Sequence, residues 1–487
     1  MSAAELDEAT LAVLRPLAAA DQLNILLGAG ASAGVGLPDW DTLVVRLLQR
    51  SGVFGDEATA RAFLARQDPQ LAVEAARQQA ENWNELLRRC LYDPPGDSVA
   101  EGPVAEDSVS EGEAQPGVLH WATAELAADR PLGDVGLFTL NYDLLLETAL
   151  DVLSEDLGQG RSVFSRGQGS PRARREQYEV HHLHGLMEPQ AGGRAEGVVL
   201  TLKDYSELNN QERPWQVAAL QNALEHGPLV LAGTSYRDPD VRRWMHQLTQ
   251  LPATGSAVMI ILAREAMGLT REQFAHVRAT VTTQWSAIGV QALLVQDHAD
   301  AAQALRELPA LREADYRTPQ QRAADLLQRH LDDFTHLQDQ HAAQLDADLG
   351  DLRAHLGADA NLTLWLADGQ GRLARWAAND RVHRAPRHLR YVPSGHDSPW
   401  LAGQCLASEA MLINELTEGG TTRRWRSVVA VPVPVEVPGG PAFSAAALSS
   451  ATSSSLEDCD PDEWRMAMET LSQQWSERLK TVAEARQ

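Results

Sequence analysis

A glycine-rich turn that follows a short apolar run near the N-terminus carries residues suited to binding a phosphate group. Residues 23–40 read LNILLGAGASAGVGLPDW, with Gly28 and Gly30 in the turn and Ser32 inside it. Glycines let backbone N–H groups approach a pyrophosphate closely, and the N-terminus of the following helix attracts its charge. The spacing Gly28-x-Gly30-x-x-Ala33 satisfies only a loose dinucleotide fingerprint, so the turn alone is weak evidence.

A dehydrogenase is one interpretation of this turn. It would place an acidic residue after a second strand, where the carboxylate binds the ribose hydroxyls. Asp56 and Glu57 lie near the right distance, but the residues before them, SGVFG, make a poor strand. The interpretation of this turn as a dinucleotide-binding site therefore needs support from other parts of the chain.

Short apolar runs alternate with longer amphipathic stretches from residue 23 onward. Nearly continuous apolar runs of this length are what parallel strands buried on both faces require. Their alternation with helical segments predicts an α/β domain with a mostly parallel sheet. The runs are LNILL (23–27), VGLFTL (135–140), YEVHHL (178–183), PLVLAG (228–233), AVMIILA (257–263) and GVQALLV (289–295).

Residues that could bind a ligand or take part in a reaction lie just past the ends of four of these runs. They are Gly28–Ser32, Asn141, His184 and Thr234–Ser235. Ligands of open parallel sheets bind at the carboxyl ends of the strands. We therefore expect these residues to converge on one crevice.

Each of these polar residues also has a purely structural interpretation. Strand alternation places His182 and His184 on one face, and His184, beside the flexible Gly185, is the better placed to meet a ligand. A core histidine is the alternative for His184, and a supporting role beside the ligand is favoured for His182. Asn141 and Asp143, taken alone, suit a strand-end turn equally well.

Four motifs in this order resemble the SIR2 (sirtuin) family over roughly residues 20–300. The extended forms LNYDLLLE, HLHG and GTSYRDPDVR are most similar to the bacterial SIR2-like branch, where the domain is associated with NAD hydrolysis in anti-phage defence. The resemblance implies a Rossmann-like sheet. The motifs are GAGAS (28–32) with GLPDW (36–40), TLNYD (139–143), His184-Gly185 and Gly233-Thr234-Ser235, which resemble GAGxS with GIPDF, TQNID, the catalytic HG and GTS.

The resemblance implies that NAD is bound as a substrate and cleaved to nicotinamide and ADP-ribose. By resemblance, Asn141 positions the ribose or a water, Asp143 contacts the nicotinamide side, and His184 is the general base. An imidazole suits that role near neutral pH. The residues expected to bind NAD are Gly28, Ala29, Gly30, Ser32, Pro38, Asp39, Gly233, Thr234 and Ser235.

Other reactions of the family remain open. Leu140 replaces the family's glutamine, and Asp41 stands where arginine is usual. The cysteines are Cys90, Cys405 and Cys459, with no CxxC pair, so the four-cysteine zinc module of deacetylases is not expected. We therefore rank protein deacylation below ADP-ribosyl transfer, and both below NAD hydrolysis. A non-catalytic NAD or ADP-ribose sensor is a further alternative.

Charge and hydropathy restrict the partners of the chain. The formal net charge of −25 over 487 residues disfavours broad nucleic-acid binding. The acidic N-terminus MSAAELDEAT is not a secretory signal, and the apolar runs are too short to span a bilayer. We expect a cytoplasmic protein that binds no membrane.

Three domains are predicted. Residues 1–310 form the SIR2-like domain with an acidic, flexible insertion at 93–117, and residues 311–357 form a long connecting helix. Its leucine seam suits either a two-chain coiled coil or packing on the chain's own domains. We expect a homo-oligomer.

Residues 358–487 resemble a GAF domain, a small α+β sensory module. The sequence predicts a hairpin at 361–379, a helix from Pro399 to Glu415, a second hairpin at 426–450 and a closing helix from Pro461. By resemblance, this domain is a candidate site for a small-molecule or protein trigger that restrains or releases the activity.

Overall fold

The computed structural model describes residues 6–93, 114–168, 176–210, 214–234, 238–250, 256–356, 359–416, 425–455 and 461–485. The chain divides into two compact units. The α/β unit comprises residues 20–262 and 279–292, and the C-terminal unit comprises residues 1–19, 263–278 and 293–487. Most of the predicted acidic insertion, residues 94–113, lies outside the described residues.

A seven-stranded sheet has the order β3-β4-β2-β1-β7-β8-β9. The pairs from β3 through β8 are all parallel. Apart from the edge strand β3, the order is that of a Rossmann-like sheet. The strands are β1 (Leu23–Leu27), β2 (Val135–Thr139), β3 (Ser162–Arg166), β4 (Gln177–His182), β7 (Leu229–Ala232), β8 (Val258–Ala263) and β9 (Gln291–Val295), while β5 (Leu186–Met187) and β6 (Ala195–Glu196) form a separate pair.

The six apolar runs all form strands of this sheet, so that prediction is confirmed. Every residue of β1 and of β8 is buried, as expected for strands covered on both faces. The edge strand β3 was missed by the sequence pattern. Its residues are only partly buried, so its sequence carries no apolar run.

The helices connect the strands and begin mainly at polar caps. Asp39, Asp56, Asp68 and Asn82 cap α4 to α7 through their side chains. Asp56, a candidate ribose ligand in the dehydrogenase interpretation, is thus an ordinary helix cap. The helices are α1 (Glu8–Ala12), α2 (Arg15–Ala18), α3 (Gly30–Ala33), α4 (Trp40–Arg50), α5 (Glu57–Leu64), α6 (Pro69–Gln79), α7 (Trp83–Tyr92), α8 (Val118–Ala128), α9 (Leu145–Asp156), α10 (Leu202–Asn209), α11 (Trp215–His226), α12 (Pro239–Thr249), α13 (Arg264–Met267), α14 (Arg271–Ser286), α15 (His298–Glu307), α16 (Pro319–Asp332), α17 (Phe334–Leu356), α18 (Leu401–Ser408) and α19 (Pro461–Glu484).

The C-terminal unit contains a six-stranded antiparallel sheet of order β12-β11-β10-β15-β14-β13. Both predicted hairpins and the closing helix are confirmed. The helix predicted from Pro399 to Glu415 is wrong in its second half, because Glu409 adopts a left-handed conformation that ends α18. The strands are β10 (Ala360–Ala367), β11 (Arg372–Ala378), β12 (Arg390–Pro393), β13 (Leu412–Glu415), β14 (Ser427–Val435) and β15 (Phe443–Thr452).

The predicted long helix is in fact two helices, α16 and α17, separated at Asp333. The backbone of Asp333 leaves the helical region, with φ −109° and ψ 42°. Gln338 and His341, which interrupt the leucine seam, are buried and hydrogen-bond to Trp376. The leucine seam packs into the core of its own unit.

Among the described residues, no helix is long and apolar enough to cross a membrane.

Candidate functional site

The glycine turn follows β1, which pairs with β2 on one side and with β7 on the other. It therefore lies at the carboxyl edge of the sheet. A Cβ atom at Gly28 would lie 2.7 Å from Cα of Thr234, so only glycine fits there. The Gly30 N–H donates to the carbonyl of Gly233 at 2.7 Å. From Gly28 to Ala33, each described N–H is bonded within the protein except that of Ala29. The turn therefore offers a ligand one free N–H group.

A buried network joins this turn to the residues that follow β2. The Asn141 side-chain amide donates to the Gly28 carbonyl at 3.1 Å and to the Ser32 hydroxyl oxygen at 2.9 Å. The Ser32 hydroxyl in turn donates to Asp143 Oδ2 at 2.9 Å. Both amide hydrogens of Asn141 are thereby used, so the group that it presents to a ligand is the acceptor Oδ1.

His184 follows β4 and is 3% exposed. Gly185 after it has φ +88°, and a Cβ there would lie 2.4 Å from the Gly197 carbonyl carbon, so this close turn requires glycine. The imidazole meets the rings of Tyr205 and Trp244 edge-on, with centroids 5.7 and 5.4 Å away. Burial lowers the pKa of His184, which keeps the ring neutral at pH 7.

These side chains line a cavity of about 320 Å³. Of the residues predicted to act on NAD, those that line it are Ala29, Ser32, Pro38, Asn141, Asp143 and His184. Gly28, Gly30, Gly233 and Thr234 lie behind this lining, in the glycine turn and its contacts. Asp39 is exposed and caps α4, and Ser235 lies outside the described residues.

Asp240 was missed by the sequence interpretation and lies beside His184. Its Oδ2 is 3.9 Å from His184 Nε2, and neither atom has a hydrogen-bond partner in the described structure. Burial raises the pKa of Asp240 to about 6, against the opposing effect of Arg243. The segment RDPDVR, which follows β7, contains two acidic residues, Asp238 and Asp240. Their position indicated that a carboxylate could lie near the site, but nothing in the sequence indicated which of the two faces His184.

If the site turns over NAD, as the resemblance implies, Asp240→Asn should lower that turnover by about tenfold, because ionised Asp240 would stabilise a protonated His184. With the pKa of Asp240 near 6, that stabilisation is present above pH 6 and lost below it. The wild-type pH profile of kcat should therefore show an acid-side step near pH 6 that is absent from the variant. An unchanged profile in Asp240→Asn would refute this role. Asp156→Asn, at an exposed position of α9, is the control.

A second histidine, His182, supports the loop that carries Asn141. Its Nε2 lies 2.6 Å from Glu147 Oε1, and its Nδ1 lies 3.0 Å from the Asn141 carbonyl oxygen. Both partners are acceptors, so both ring nitrogens carry hydrogen and the ring is an imidazolium. Burial opposes this charge, but Glu147 and the Asn141 carbonyl outweigh it and raise the pKa of His182. His182 therefore has the supporting position that the sequence favoured.

Glu147→Gln should lower the free energy of unfolding of the α/β unit by about 3–5 kcal/mol at pH 7, because it leaves a buried imidazolium without its counter-ion. The pKa of His182 is raised and that of Glu147 is lowered. The pair therefore stabilises the fold at pH values between the pKa of Glu147 and the pKa of His182. Its contribution is lost when the pH rises above the pKa of His182 or falls below the pKa of Glu147. Urea denaturation measures the change.

The control for this variant is Glu179→Gln, which breaks the partly exposed pair with Arg166. Its cost should stay below about 1 kcal/mol. Equal losses in the two variants would show that the Glu147–His182 pair contributes nothing beyond a surface ion pair.

Comparison with known families shows a similarity over part of the α/β unit. A family model described as a SIR2-like domain matches residues 135–292, from the first residue of β2 into β9. The match includes Asn141, Asp143 and His184, whereas the glycine turn precedes it. A search of curated proteins finds no match to the chain. SIR2-like domains use NAD as a substrate, so this region is consistent with an NAD-utilising enzyme.

Proposed function

We propose that this protein is an NAD glycohydrolase that cleaves the nicotinamide–ribose bond. The observation that carries the proposal is the convergence of Asn141, Asp143 and a neutral, buried His184 on one cavity. All three side chains are buried, and electrostatic stabilisation of a transition state is stronger where side chains are shielded from water.

The charges of the cavity suit the cationic end of NAD. Among the described residues, its charged lining consists of three carboxylates, Asp68, Asp143 and Asp238, and one guanidinium group, Arg242. The nicotinamide ring of NAD is positively charged, and its departure moves that charge onto C1′ of the ribose. Carboxylates beside C1′ stabilise the developing oxocarbenium ion.

The reaction balances with the groups present. The bond between C1′ and the nicotinamide nitrogen breaks, and its electron pair leaves with neutral nicotinamide. A water held by Asn141 Oδ1 attacks C1′, while His184 accepts the proton that the water loses. Asp240 stabilises the imidazolium that results, and the products are nicotinamide and ADP-ribose.

The fate of the ADP-ribosyl group distinguishes hydrolysis from its competitors. Purified full-length protein is incubated with NAD that is radiolabelled in its adenylate phosphate, with and without acetylated peptide. Free labelled ADP-ribose supports hydrolysis. Label attached to protein indicates ADP-ribosyl transfer, an acetylated product that needs the peptide indicates deacylation, and binding without turnover indicates a sensor.

We further propose that the enzyme is a regulated, cytoplasmic, homo-oligomeric effector that depletes NAD in anti-phage defence. The antiparallel sheet of the C-terminal unit supports a GAF-like sensory module that receives a small-molecule or protein trigger. Cells that express the wild-type chain should lose NAD during phage infection and limit phage yield. Unchanged NAD levels and phage yield across several phages would contradict this role.

A further inference from the structure

Three side chains with metal-ligating atoms meet in the C-terminal unit. Glu265 lies in α13, Asp297 is the residue before α15, and His396 lies in the segment between β12 and α18. One ligand atom from each lies within 4.8 Å of the other two. The three residues come from segments far apart in the chain, so the fold itself assembles the cluster.

Asp297 is the member that most needs a further partner. Its side chain is fully buried, and its Oδ1 contacts His396 Nδ1. Its other oxygen, Oδ2, has no hydrogen-bond partner in the described structure. A buried carboxylate oxygen without a partner is costly, so a positive group is the expected complement.

The guanidinium groups near the cluster have other partners. Arg264 and Arg271 are both directed at Asp397, at 3.1 and 3.7 Å. Arg264 Nη2 also lies 3.3 Å from His396 Nδ1. Neither arginine forms a hydrogen bond with Asp297 Oδ2 in the described structure, so that oxygen remains available to a cation.

We propose that Glu265, Asp297 and His396 form a zinc site. One imidazole nitrogen and two carboxylate oxygens are ligands that Zn²⁺ accepts, with water completing its tetrahedral coordination. Glu265 and His396 are partly exposed, which leaves the ion a path from solvent. The site uses no cysteine, so it is unrelated to the four-cysteine module of deacetylases. It is also independent of the proposed NAD chemistry.

Zinc binding is measured directly on the full-length protein. The protein is dialysed against EDTA, returned to metal-free buffer at pH 7.5, and titrated with ZnCl₂ by isothermal calorimetry. We expect one equivalent of zinc to bind. The variants His396→Gln and Glu265→Gln should bind it at least about tenfold more weakly. MgCl₂ should bind far more weakly than zinc, because Mg²⁺ prefers oxygen ligands to imidazole.

The control is His388→Gln, which removes an exposed histidine of the same unit and should leave zinc binding unchanged. Circular dichroism verifies that each variant is folded. Using two partly exposed ligands avoids dependence on Asp297, whose replacement disturbs a fully buried position.

Either of two results would overturn the proposal. In the first, the wild-type protein takes up no zinc. In the second, it binds zinc no more tightly than His396→Gln and Glu265→Gln do.

Discussion

The His184→Ala variant is expected to lose NAD cleavage by a factor of about 10² to 10⁴, the usual contribution of a general base. His184 is the neutral, buried ring of the cavity, and its Nε2 has no hydrogen-bond partner among the described residues. The loss should appear in kcat with little change in KM, because the proton transfer belongs to the transition state. Steady-state release of nicotinamide measures both constants.

Two further variants separate chemistry from packing at this position. His184→Gln retains a polar side chain of similar size but cannot accept the proton, so it should be as inactive as the alanine variant. His246→Ala removes an exposed histidine of α12 and should keep full activity. Full activity in His184→Gln would refute the assignment of His184 as the base.

Asn141→Ala is expected to cost about 10² to 10³ in kcat, the range for losing one pre-organised polar group. The substitution removes the Oδ1 acceptor that holds the attacking water in the proposed mechanism. It also leaves the Gly28 carbonyl and the Ser32 hydroxyl without their donor. The variant thus loses a proposed contact to the water and also the hydrogen bonds that hold the glycine turn, so the loss should exceed that of Asp240→Asn.

Asn141→Asp tests whether activity requires the N–H donor of the Asn141 amide in addition to its oxygen acceptor. A carboxylate keeps an acceptor for the ligand but cannot donate to the Gly28 carbonyl, so activity should stay low. Asn210→Ala, an exposed asparagine that follows α10, is the control for a general effect of asparagine loss. If Asn141→Ala and Asn210→Ala were equally active, Asn141 would have no part in cleavage.

The sheet could be predicted from the sequence because its burial leaves a strong pattern. A strand covered on both faces must be apolar throughout, as β1 and β8 are. The convergence of Asn141 and His184 followed from one rule, namely that the carboxyl ends of parallel strands share an edge of the sheet. Neither inference required side-chain geometry.

The partners of these residues could not be predicted, because they depend on tertiary packing. Glu147 lies on α9 and Asp240 on α12, and nothing in their local sequence distinguishes them from exposed helical acids. The end of α18 could not be predicted either. The sequence pattern predicts a helix as far as Glu415, whereas Glu409 adopts a left-handed conformation and ends it. Gln338 and His341 are polar residues among the leucines of this segment, yet both are buried and hydrogen-bond to Trp376.

The most direct test of NAD cleavage is a single-turnover measurement. Full-length protein in molar excess is incubated overnight with NAD at pH 7.5, and the products are separated by liquid chromatography. An excess of protein reveals even a slow, restrained enzyme. We predict equimolar nicotinamide and free ADP-ribose from the wild type, and neither product from His184→Ala. Intact NAD in the wild-type reaction, or nicotinamide without free ADP-ribose, would contradict the assignment of this protein as an NAD glycohydrolase.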